Sequence, residues 1–206
     1  AELGVDMFPM TAAVDVLPRV IRDYRNHFPD VRLTLHQLPT EQQVTRLRSG
    51  EIQVGFVRLP VADASLSVDT VLREAVLAVV PEDHRLAELG EIELRELADE
   101  RFILFPRSFG PGSHDRIVRL CNAAGFSPRI DQEAVEMHTI AGLVAAGLGV
   151  SLVPESTRKL RQDGVRYLDL GDTEPIWELA VARRRSDESA LVGHFVEAAR
   201  NCALDM

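Results

Sequence analysis

Cysteine is scarce: the 206 residues hold two, Cys121 and Cys202, far apart in apolar segments. That excludes a disulfide framework, leaves each as a small core residue and agrees with a cytoplasmic location. Positive charge is short as well. Lys and Arg number 23 against 32 Asp and Glu, a formal net charge of −9, so the chain alone is no reader of a phosphate backbone, which takes clustered cations. No apolar run is long enough to span a bilayer, no signal peptide opens the chain, and no low-complexity tract or fixed-period repeat interrupts it. Catalytic signatures are missing too. The histidines at 27, 36, 84, 114, 138 and 194 lack metal-ligand spacing, and there is no Gly-x-Ser-x-Gly, no P-loop and no Gly-x-Gly-x-x-Gly after a strand. Ser113-His114-Asp115 is no triad, because three consecutive residues cannot converge as nucleophile, base and orienter. These absences point away from an enzyme, a metal site and a cofactor.

What is present is an ordinary globular composition, 46% apolar and 27% charged, with length for two lobes of roughly 100 residues each. Short β-branched runs alternate with helical patterns, which predicts βα units and mostly parallel strands. The chain opens almost inside a strand, Glu2 to Met7, as an excised domain would. Leu17, Val20, Ile21, Tyr24 and Phe28 recur at helical spacing in a helix over 11–28, and Val31, Leu33 and Leu35 alternate in a strand over 31–38. Thr40-Glu41-Gln42-Gln43 has the form of a capping box opening a helix that Gly50 closes, before a buried strand Val54 to Val57. Further on, strands are expected at 74–80, 102–105, 130–135 and 150–153, near Tyr167 and at 177–182. Helices are expected at 93–97, 113–125 and 137–147 and around Leu191, Phe195 and Ala198. The fold class is α/β, in two Rossmann-like lobes joined by a two-stranded hinge. Lobe I takes 1–73 plus 177–206 and lobe II takes 74–176.

The run Ile140 to Pro154, the pairs Leu17-Pro18 and Phe28-Pro29, and Leu47 to Phe56 resemble the C-terminal effector-binding domain of LysR-type transcriptional regulators. The resemblance extends over essentially the whole chain. Leu104 to Arg107 and Gly55 to Leu59 look most like the branch that responds to muconates and benzoates. The resemblance implies a periplasmic-binding-protein-like (type II) clamp. It also implies a winged helix-turn-helix that this chain does not contain and through which DNA is bound. Homodimers or tetramers are expected through the helix 11–28 and strand 31–38 of one subunit against the helix 113–125 of another. A periplasmic solute-binding protein for a small anion has the same architecture and is the alternative; a bare dimerisation module is the blandest reading.

The implied ligand is a small effector, expected to be a carboxylate, in the inter-lobe cleft beyond the carboxyl ends of the strands, where helix N-termini offer unpaired N–H groups. Four such ends are expected, near Thr11, Thr40, Gly112–Ser113 and His138–Thr139, each contributing a few tenths to about 2 kcal/mol toward a carboxylate. Thr11 and Thr40 stand where the family places hydroxyls, and each also reads as a plain helix cap. Arg58 ends a buried strand, where its fork suits a carboxylate or an ion pair with a nearby acid. Arg107, Phe109, Pro111, Gly112 and Ser113 form a loop able to wrap an anion with backbone N–H groups. Phe109 either fills the pocket or packs the loop. Gly112-Ser113 departs from the muconate responders, which carry a bulkier aromatic member there, and this leaves the effector's identity open. His138 either meets a ligand carboxylate or remains a surface histidine, the commoner fate of a lone His.

Overall fold

Leu3 and Val5 alternate with Gly4 and Asp6 along the first strand, β1 (Glu2–Met7), so one face of the strand is apolar and the other is not. In the computed structural model, which describes residues 1–7, 16–171 and 173–204, this alternation organises the first of two compact units. That unit is Ala1–Arg73 with Glu178–Met206, and the second is Glu74–Trp177. Strand β1 is followed by α1 (Val16–His27), β2 (Arg32–Gln37), α2 (Thr40–Ser49), β3 (Val54–Arg58) and β4 (Leu66–Glu74). The expected helix over 11–28 is seen from Val16; residues 11–15 lie outside the described residues.

The sheet of unit 1 has the order β2-β1-β3-β10-β4, where β10 (Trp177–Arg184) and the helix α5 (Ala190–Leu204) return from the far end of the chain. Val54 and Phe56 join Leu3 and Val5 in a core shared with Val20 and Tyr24 of α1 and Val192 and Phe195 of α5. Val57, on the opposite face, packs with Leu47 of α2, Ala180 and Ala182. Tyr24, Phe56 and Phe195 fill the first core, with Tyr24–Phe195 and Phe56–Phe195 in edge-on contact at 5.0 and 6.2 Å between centroids.

Unit 2 is built differently. It contains β5 (Val76–Pro81), β6 (Arg101–Leu104), α3 (Pro111–Ala123), β7 (Arg129–Glu133), α4 (Met137–Ala145), β8 (Ser151–Pro154) and β9 (Val165–Asp169). Short 3₁₀ helices lie at Leu94–Leu97 and Glu155–Leu160. The strands form a three-stranded sheet, β8-β5-β9, and a two-stranded one, β6-β7. The two are stitched where Val150 N donates to Arg101 O at 2.8 Å and Ile103 N to Val150 O at 2.9 Å. The buried Ser151 hydroxyl adds a 2.6 Å bond to Ile103 O. That approach needs a glycine: a Cβ on Gly149 would stand 2.4 Å from Arg101 O. Cys121 is buried on α3, and desolvation pushes its thiol up to about 12, so it is core and not a reactive thiol.

Three expectations are corrected. The sheets are mixed: β1–β2, β1–β3 and β6–β7 are parallel, whereas β3–β10, β5–β8 and β5–β9 run antiparallel, because β5 and β10 do not enter through a βα crossover. A strand read as starting at Glu74 starts at Val76; Glu74 ends the unread strand β4, where Asp69 and Thr70 interrupt the apolar run. Helix α3 begins at Pro111, two residues early, because proline's fixed φ suits the first helical position.

Candidate functional site

In unit 1, β2 runs out at Gln37 and α2 begins three residues later. The expected capping box is absent. The N-cap is Pro39, which has no side-chain acceptor, and no side-chain cap bond is made. The Thr40 hydroxyl instead accepts the backbone N–H of Arg58, at the carboxyl end of β3, at 3.0 Å. Gln43, expected to complete the box, is fully buried. Its Nε2 donates to Leu38 O at 2.8 Å and to Phe56 O at 3.0 Å. Thr40 and Arg58 are thus brought together at the strand ends, and Arg58 is only 6% exposed. Thr11 lies outside the described residues.

On the neighbouring strand β1, in register with Gly55, Asp6 is buried beside the same helix. Its carboxylate accepts Arg46 Nη1 at 2.9 Å and faces His36 Nδ1 at 3.1 Å, while Arg46 reaches on to Glu51 at 2.9 Å. Burial nevertheless holds the Asp6 pKa above its ordinary value, and Arg46 and His36 only partly offset it. The sequence reading missed this cluster; its one signal is a lone acid in the apolar strand Leu3-Gly4-Val5-Asp6-Met7.

In unit 2, β6 and β7 lie side by side, with Leu104 opposite Glu133 and Ala134 N bonded to Leu104 O at 3.0 Å. The helices that follow them, α3 and α4, therefore start near neighbouring strand ends. Pro106 to Gly110 make the turn, with Phe109 N bonded to Pro106 O at 3.0 Å. The loop expected over Arg107 to Ser113 is thus shorter: Pro111, Gly112 and Ser113 form the first turn of α3, and Ser113 is buried. Arg107 grips Asp115 through two bonds of 2.8 Å, Nε to Oδ1 and Nη2 to Oδ2, while staying 64% exposed. That bidentate pair holds the Asp115 carboxyl below the usual range. His114 is buried against the Phe105 ring, 6.1 Å between centroids, and Phe105 meets Trp177 at 5.9 Å. His138 and Thr139 are exposed in the first turn of α4, after Glu136 at the N-cap. Among the described residues no group of His, Cys, Asp and Glu is placed to hold a metal, and no helix is long and apolar enough to cross a membrane.

Both units therefore place helix N-termini, hydroxyls and arginines at the carboxyl ends of parallel strands, as in the type II periplasmic-binding-protein-like class of α/β ligand-binding domains. Within that class the chain belongs to the LysR substrate binding domain family, whose sequence model matches residues 7–203. The transcriptional regulator IlvR of Caulobacter vibrioides is 40% identical over 186 residues, covering 89% of this chain and 62% of its own length. CatR of Pseudomonas putida is 35% identical over 190 residues, covering 92% of this chain and 65% of its own. The chain thus spans just under two thirds of the length of these two regulators. Among solved structures, the BenM effector binding domain with its effector benzoate superposes with a TM-score of 0.89 at 28% identity, covering 99% of this chain and 92% of that one. The family and fold expected from the sequence are those found. The relatives are regulators, not enzymes, and they do not favour the solute-binding alternative.

Proposed function

We propose that this effector-binding domain recognises a small carboxylate through residues at the carboxyl ends of parallel strands. The observation that supports the reading is the Thr40–Arg58 bond. A hydroxyl that accepts a backbone N–H keeps its own hydrogen. Among the described residues the Thr40 hydroxyl donates to nothing, so at the N-terminus of α2 it is set to meet an acceptor. An anion also gains there from the unpaired N–H groups of the first turn. The bound benzoate of the BenM domain is a ligand of that chemistry. Thr11, Arg107, Phe109, Pro111, Gly112, Ser113, His138 and Thr139 remain part of the proposed contact set. Arg107 serves it by holding the start of α3 through Asp115.

On the same reading, Ala1–Arg73 with the returning β10 and α5 is regulatory lobe I, and the segment from Glu74 is regulatory lobe II. The chain acts in the cytoplasm within a longer regulator whose winged helix-turn-helix binds DNA. It pairs through α1 and β2 against α3 of another copy. Monomers alone in a sedimentation run at high protein concentration would sink the pairing.

The test of the ligand is a thermal-shift screen of benzoate, cis,cis-muconate and aliphatic diacids. A binder at about 100 times its Kd adds about 2.7 kcal/mol of stability. A raised melting temperature that Thr40→Val and Arg58→Ala abolish supports the site; no shift with any of these acids refutes a carboxylate effector.

A further inference from the structure

We infer that Gln43 and Gly55 are a positioning pair that sets the Thr40 hydroxyl for its ligand, an inference that rests on the carboxylate reading above. Gln43 lies one helical turn after Thr40, wholly buried between α2 and the sheet. Both of its amide hydrogens are used, one on Leu38 O at 2.8 Å and one on Phe56 O at 3.0 Å. Carbonyl oxygens only accept, so the amide cannot turn over. Leu38 stands two residues before Thr40, and Phe56 two before Arg58. One side chain thus ties together the two backbone segments that carry the Thr40–Arg58 bond.

The other end of the amide shows what this arrangement demands. Among the described residues Oε1 has no hydrogen-bond partner although it is buried. It occupies the place where a side chain at position 55 would begin: a Cβ on Gly55 would stand 2.8 Å from it. An orphan buried acceptor is unfavourable, and buried polar atoms are as a rule paired. Departures from that rule concentrate where a geometry is being held for function. Gly55 is the complement. Its missing Cβ admits the amide, and alanine there drives Oε1 away and pulls Nε2 off the two carbonyls.

The test uses two variants on different elements, Gln43→Leu and Gly55→Ala, with Val192→Ala as control in the core on the opposite face of the sheet. Hydrogen exchange of the Arg58 amide is followed by NMR, and the benzoate Kd is measured by calorimetry. Both variants are expected to speed Arg58 exchange and weaken benzoate by about tenfold each, while the control moves neither by more than about twofold. Equal responses in the control and in the two variants overturn the inference. Should the wild-type chain fail to bind benzoate, the ligand reading fails for that acid. The Arg58 exchange still decides whether the pair positions Thr40.

Discussion

The two units solve the same problem with opposite materials. In unit 1 the start of α2 is anchored by neutral side chains, Thr40 and the buried Gln43, while Asp6, the carboxylate bonded to Arg46 of the same helix, is buried. In unit 2 the start of α3 is anchored by an exposed ion pair, Arg107–Asp115. Their sheets differ in parallel: five strands in one sheet against three and two stitched at Gly149. A neutral, buried anchor is insensitive to salt and holds one geometry; an exposed ionic anchor is weak and responds to its medium. The lesson is that the start of α2 is held by an anchor that salt does not reach, and the start of α3 by one that salt can weaken.

The largest effect that would break this comparison lies at the glycines. Gly149→Ala meets a backbone oxygen at 2.4 Å and should destabilise the chain by about 3 kcal/mol in urea titration. Gly55→Ala meets the end of a side chain and should cost about half as much; the reverse order would mean that the unit 2 stitch is the softer one. Next comes Thr40→Val, which leaves the Arg58 N–H without its acceptor and should cost about 1–3 kcal/mol at any ionic strength. Arg107→Ala should lower stability less than any of these, with the loss visible at low salt and screened away in concentrated salt, because the pair is exposed.

The smallest effects are in pH, and the two carboxylates should respond with opposite sign. Asp115 titrates lower in the folded chain than when free, so its stabilising contribution is present above the ordinary carboxylate range and is lost as pH falls through the folded value. Asp6 titrates higher, so the folded chain holds its proton longer, and its contribution declines as pH rises from about 4 through the raised value. Carboxyl NMR of the two residues checks both directions. Arg107→Ala should return Asp115 toward the ordinary range and leave Asp6 unmoved.

The order of strands and helices was legible because apolar periodicity is local. Leu17, Val20 and Tyr24 announce α1, and Val54 to Val57 announce a buried strand, without reference to any partner. Strand β4 was not, because Asp69 and Thr70 break its pattern and its pairing partner lies more than a hundred residues away. The site was half legible. Thr40 and Arg58 could be named as candidates, but the local motif predicted a cap where a partner 18 residues on had claimed the hydroxyl. Gln43 reads as the closing member of a capping box and instead serves the sheet, and the Arg107–Asp115 grip joins a turn to the first turns of α3, a boundary that the sequence pattern places two residues too late. What sequence pattern misses here is non-local hydrogen bonding, since periodicity gives a residue's face and not its partner.

The central claim is tested most directly by titrating the isotope-labelled chain with benzoate and following backbone amides by NMR. The account predicts saturable shifts concentrated at the starts of α2, α3 and α4 and at Arg58, all reporting one Kd and all weakened together in Thr40→Val. Shifts confined to other surfaces, or none at millimolar benzoate with the chain folded, would contradict it.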